Sequence, residues 1–167
     1  MIEKVRNIAK KHVLEAVNIR KYLHAHPELS FKEYETSKFI QSVLKKHGIP
    51  FTNGHVETGI IATIKGKNPN TKEILLRADL DGLPISEDNN VEYKSKNKGV
   101  MHACGHDFHS ASLIGTALIL NELKEDFNGT IKFVFQPGEE KLPGGAKLMI
   151  EDGLLNNKPQ ACIAQHV

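Results

Sequence analysis

"EILLRADLD", residues 73–81, is an almost unbroken apolar run that ends in two aspartates. Ile74, Leu75, Leu76 and Ala78 show no polar alternation over a strand's length, so the stretch reads as a central strand covered on both faces. Asp79 and Asp81 then fall at its C-terminal end. Upstream, "GIIATIKG" (59–66) reads as another strand, joined to the first by the turn-rich "KNPNT" (67–71). Downstream, "SASLIGTALILNEL" (110–123) reads as a helix opening near residue 108. "GTIKFVFQ" (129–136) reads as a strand with Ile131, Phe133 and Phe135 on one face. "GGAKLMIEDG" (144–153) reads as a short helix closed by Gly153, and "QACIAQHV" (160–167) as a last short strand. Near the start, Val5, Ala9, Val13 and Val17 recur every four residues and predict an amphipathic helix ending before Pro27. "SFKE" has the form of a capping box, with Ser30 at the N-cap and Glu33 three residues on. It opens a helix to about Lys46 with Phe39, Ile40, Val43 and Leu44 buried and Gly48 closing it. Strands alternating with helices imply an α/β fold with a mainly parallel sheet flanked by helices.

A chain of 167 residues, 40% hydrophobic and 25% charged, is long enough for one core and reads as soluble and globular. A net charge of +2 with scattered lysines gives no basic stripe, which argues against nucleic acid. The N-terminus is charged throughout, unlike a signal peptide, and no run is long enough to span a bilayer. These features assign the chain to the cytoplasm. There Cys104 and Cys162 stay unpaired, and a cysteine beside histidines reads as a metal ligand or reactive thiol.

The polar residues gather where the strands end. Asp79 and Asp81 follow one strand, Glu139 and Glu140 follow another, and His166 ends the last. Cys104 and His106 lie just ahead of a helix. In an open α/β sheet, ligands bind outside the carboxyl ends of the strands, so four segments deliver thiol, imidazole and carboxylate groups to one edge. That set suits a divalent metal. A helix N-terminus favours a thiolate, which predicts an activated Cys104. Neighbouring glutamates in extended backbone point to opposite sides, so one is predicted to hold metal while the other faces a water. Each element alone has a plainer reading. "CGH" is often a loop, "EE" a solvated surface, a strand-end aspartate a loop cap, and a strand-end histidine a backbone partner. Cys162, in an apolar run, reads as core, and His24 and His26, ahead of Pro27, read as structural or surface residues.

The stretches "RKYLHAHPELSFKEYET" (20–36), "LLRADLDGLPI" (75–85), "MHACGHDFHSASLIGTA" (101–117), "FVFQPGEE" (133–140), "GGAKLMIEDGLL" (144–155) and "AQHV" (164–167) occur in a familiar order. Together they resemble the aminoacylase, hippurate-hydrolase and N-acetyldiaminopimelate deacetylase family of metal-dependent amidohydrolases. The resemblance implies that Cys104, His106, Glu140 and His166 are metal ligands. It further implies that Glu139 is the general base and that Asp81 orients a ligand from behind. Asp79 stands where more distant relatives have a ligand histidine, and the Cys104–His106 pair is the alternative set of the closer group. The implied cofactor is a divalent metal, two ions per complete site, zinc with manganese, cobalt or nickel as alternatives. The implied substrates are N-acyl amino acids of the N-acetyl or N-benzoyl type, cleaved to a carboxylate and a free amino acid. Residues 1–167 correspond to the N-terminal part of the family's catalytic domain. The resemblance implies that these residues leave out the lid and dimerisation domain, which makes full-length relatives homo-oligomeric, and the C-terminal part of the catalytic domain. A fragment of this kind is expected to be inactive alone. Two other readings stay open: a truncated metal-binding remnant without turnover, and a hydrolase using Cys104 as nucleophile.

Overall fold

A computed structural model describes residues 1–167. The chain runs α1 (Ile2–Ala25), α2 (Tyr34–Lys46), β1 (Phe51–His55), β2 (Gly59–Lys65), β3 (Glu73–Asp79), α3 (His106–Glu122), β4 (Thr130–Gln136), α4 (Gly145–Glu151) and β5 (Ala161–Ala164). A 3-10 turn, Lys124–Asp126, lies between α3 and β4.

The five strands form one sheet in the order β1-β2-β4-β3-β5. The apolar run of β3 lies inside it, parallel to β4 on one side and to β5 on the other. The expected parallel sheet thus holds for the half that carries the acidic strand ends. The other half is antiparallel, with β2 paired to β4 and β1 to β2. β2 and β3 are separated by β4, so the turn-rich "KNPNT" does not make a hairpin. Helices cover both faces, as the α/β reading requires. On one, Phe133, Phe135, Ile60 and Ala78 pack with Leu23 of α1, Ile40 and Leu44 of α2, and Ile114 and Leu118 of α3. On the other, Leu75 and Val134 pack with Met149 of α4. No helix is long and apolar enough to cross a membrane.

Three local expectations change. The valine stripe of α1 is not its buried face: Val13 is 57% and Val17 43% exposed, while Ile19 and Leu23 are buried. A spacing of four overshoots the 3.6-residue turn, so the stripe drifts by about 120° between Val5 and Val17. "SFKE" is not a capping box. The amides of Glu35 and Thr36 donate instead to the Glu28 carboxylate, at 3.2 and 2.8 Å. Glu33 is fully buried and accepts from the Phe31 amide, the Thr58 hydroxyl and the Gly138 amide. It thereby ties the segment before α2 to the loop after β4. Cys162 is exposed on β5, which is an edge strand with no neighbour to cover it.

His24 is structural, as its position implied. Buried at the end of α1, its two ring nitrogens meet Asp107 of α3 at 2.8 Å and Glu87 at 2.9 Å. Burial pushes the Glu87 carboxyl up, but the Ser95 amide, His24 and Asn89 outweigh it and hold the pKa at about 2. An unfolded glutamate titrates at about 4.3, so Glu87 stabilises the fold above that pH, and the contribution is lost as pH falls toward the folded value. We expect Glu87→Gln to unfold more readily than the parent at neutral pH in denaturant titrations, with the difference closing as pH falls below about 4. A constant difference down to acid pH contradicts this.

Candidate metal centre

The parallel strands aim their C-terminal ends at the N-terminus of α3, and the acidic and imidazole groups meet there. Asp81, two residues beyond β3, is buried. His106 Nδ1 lies 2.8 Å from its carbonyl oxygen and 3.2 Å from Oδ1. The Ser30 hydroxyl and the Glu140 amide donate to its Oδ2, at 2.6 and 3.0 Å. Burial pushes the Asp81 pKa up, but these donors outweigh it and hold it at about 2. A carboxylate and a carbonyl can only accept, so Nδ1 of His106 carries a proton, and in the neutral ring Nε2 is the nitrogen left free for a ligand.

That Nε2 is the hub. It is buried, without a hydrogen-bond partner, and it lies 3.8 Å from Glu139 Oε2, 3.9 Å from Glu140 Oε1 and 4.0 Å from Asp79 Oδ2. His166, just past β5, brings its Nε2 to 3.4 Å from Cys104 Sγ. Three overlapping groups have ligand atoms within 4.8 Å of one another: Cys104–His106–His166, His106–Glu139–Glu140 and Asp79–His106–His109. All six residues named from the sequence therefore come together. His106 lies in α3 rather than ahead of it, because Gly105 in left-handed conformation (φ 76°) starts the helix two residues early.

Two predictions about these groups are corrected. Glu139 and Glu140 both reach toward His106, since they follow Gly138 (φ 56°) in a bend and not in extended backbone. Glu139 is the more open of the two, its side chain 40% exposed against 24%. Cys104 is not an activated thiolate. Burial, then Glu140, Glu139 and Asp79, push its pKa up to about 11. The local helix end is outweighed by carboxylates from two other segments.

The sequence reading placed Asp79 at this edge without giving it a role, and it missed His109. Arg77 pairs with Asp79 and donates from Nε to Gln136 at 2.7 Å, and Asp79 faces His109 Nδ1 at 3.3 Å. His106 and His109 share a helix face at a spacing of three. That signal is visible only once the helix is begun at residue 106.

The donor set fits a divalent cation. A thiol, imidazoles and carboxylates surround a buried, unpartnered imidazole nitrogen. Beside Cys104 and His166 opens a cavity of about 560 Å³ whose walls include Arg20, Asn89, Met101 and Phe108.

The pattern of peptidase family M20/M25/M40 matches residues 75–167, and the chain belongs to this family. It is 42% identical over 154 residues to an N-acyl-L-amino acid amidohydrolase of Geobacillus stearothermophilus, covering 92% of this chain and 41% of that protein. It is 48% identical over 141 residues to an N-acetylcysteine deacetylase of Bacillus subtilis strain 168, covering 84% and 37%. The crystal structure of the B. subtilis YXEP protein, a dinuclear metal-binding peptidase of the M20 family, superposes with a TM-score of 0.84 at 46% identity. That match covers 89% of this chain and 41% of YXEP. The chain thus spans about two fifths of the length of these relatives.

The raised Cys104 pKa has a direct consequence. In the metal-free chain we expect iodoacetamide to modify the exposed Cys162 ahead of Cys104 at neutral pH, with the Cys104 rate climbing as pH approaches about 11. Mass spectrometry of the two peptides reads this. Cys104 reacting first, with a rate already level at neutral pH, supports the nucleophile reading instead.

Proposed function

We propose that this chain is the metal-holding portion of an amidohydrolase that cleaves N-acyl amino acids. Cys104, His106, Glu140 and His166 are its metal ligands, Glu139 its general base and Asp81 the residue that orients His106. The observation that carries the proposal is the bare, buried Nε2 of His106 with Glu139 and Glu140 facing it and the Cys104–His166 pair alongside. The kinship to an N-acyl-L-amino acid amidohydrolase and an N-acetylcysteine deacetylase supports the substrate class. We assign two zinc ions to the complete site, with manganese, cobalt or nickel as substitutes. The proposal carries a cytoplasmic location, where Cys104 stays reduced.

When bound, the metal supplies Lewis acidity at the scissile carbonyl and its attacking water. The chain's residues do the rest. Asp81 keeps the His106 proton on Nδ1, so Nε2 stays available. Glu139, the more open carboxylate, accepts a proton from water as the water oxygen attacks the amide carbon. It returns that proton to the leaving nitrogen as the carbon–nitrogen bond breaks, giving a carboxylate and a free amino acid. Cys104 gives up its thiol proton when it becomes a ligand.

A second reading, a metal-binding chain without turnover, rests on the same donor set and on the chain's span of about two fifths of its relatives' length. The two readings separate on turnover, not on metal. The test grafts residues 1–167 in place of the corresponding part of a full-length relative and assays N-acetyl and N-benzoyl amino acids. We expect chelator-sensitive hydrolysis. Glu139→Gln should lower it by about two to four orders of magnitude with metal retained, whereas Glu140→Gln should lose metal as well. Loss of metal in Glu139→Gln but not in Glu140→Gln reverses the two roles, and chelator-resistant turnover rejects the metal mechanism.

A further inference from the structure

His109 takes no part in the chemistry proposed above, yet it is buried one helical turn beyond His106 and stands against both imidazoles. Its ring centroid is 5.3 Å from that of His106 and 4.8 Å from that of His166. Its Nδ1 faces Asp79 Oδ2 at 3.3 Å, and its Nε2 accepts the Val167 amide at 3.2 Å. Asp79, paired with Arg77, is a carboxylate that can only accept, and an amide can only donate. The two partners therefore fix one tautomer, with the proton on Nδ1, and one ring orientation.

The segment so held is the one that presents His166. Val167 also packs into the notch over Gly105, where a Cβ would lie 2.5 Å from its Cγ2. His166 Nδ1 donates to the Val167 backbone oxygen at 2.8 Å, which leaves Nε2 turned to Cys104 at 3.4 Å. His166 itself is exposed and lies two residues past β5, so the strand's own hydrogen bonds do not set its ring.

We infer that His109 is a positioning residue: anchored by Asp79, it grips the Val167 backbone and so holds His166 over Cys104. The metal part of this inference rests on the metal centre proposed above. Its mechanical part does not.

The test uses the metal-free and zinc-loaded 167-residue chain. In the metal-free chain, long-range proton–nitrogen correlation spectra of the histidine rings read the tautomer, and we expect His109 as the Nδ1–H form with the Val167 amide protected from exchange. An Nε2–H His109, or an unprotected Val167 amide, overturns the inference without any variant. His109→Asn keeps a donor for Asp79 but has no acceptor in reach of Val167, and His109→Gln restores an acceptor near the Nε2 position. Competition with a chromophoric chelator reads zinc affinity. We expect His109→Asn to lose about 10- to 100-fold, together with the Val167 protection, and His109→Gln to recover most of both. Parental affinity in His109→Asn, or a folded His109→Gln as weak as His109→Asn, also overturns it. Should the parent bind no zinc, the metal-centre reading fails, while the tautomer and amide measurements still decide the role of His109.

Discussion

One buried carboxylate organises the site. Asp81 stands at the end of the central parallel strand, accepts the His106 ring proton, the Ser30 hydroxyl and the Glu140 amide, and is held at a pKa of about 2 by doing so. Burying a charge is costly unless its partners are in place, so each segment that supplies a donor is drawn to one point. The segment before α2, the start of α3 and the loop after β4 are distant in sequence and meet here. Glu33 repeats the device nearby, gathering Phe31, Thr58 and Gly138. In the neutral ring the His106 nitrogen that faces the cluster is the unprotonated one, because Asp81 holds the proton on the other side.

The charges around that nitrogen are out of balance. Burial pushes the His106 pKa down, but Asp81 and Asp79 outweigh it and hold it up, and the same surroundings push Cys104 up to about 11. Both shifts say that positive charge is favoured at this point. A divalent cation held here would compete with protons, so its affinity is expected to rise with pH.

The skeleton of this arrangement was legible in the sequence because its signals are local. Apolar runs bounded by turns gave β2, β3 and β4, and the rule that ligands gather at strand carboxyl ends brought Asp81, Cys104, His106, Glu139, Glu140 and His166 to one edge. What escaped depends on partners distant in sequence. "SFKE" has the same spelling whether Ser30 and Glu33 cap their own helix or reach Asp81 and Gly138. The antiparallel half of the sheet is set by β2 pairing with β4, about seventy residues away. The orientation of Glu139 and Glu140 hangs on the left-handed Gly138, and the raised pKa of Cys104 on its burial and on carboxylates from two other segments. His109 was hidden by a helix start placed two residues late.

The central claim is that the chain binds a divalent ion through the Cys104 sulfur as well as imidazole and carboxylate. X-ray absorption at the zinc edge, on the zinc-loaded 167-residue chain after gel filtration, tests it most directly. The account predicts one sulfur neighbour bound to zinc among nitrogen and oxygen neighbours, with the sulfur gone in Cys104→Ser. A shell of nitrogen and oxygen alone in the parent chain, or a folded chain that retains no zinc, contradicts it.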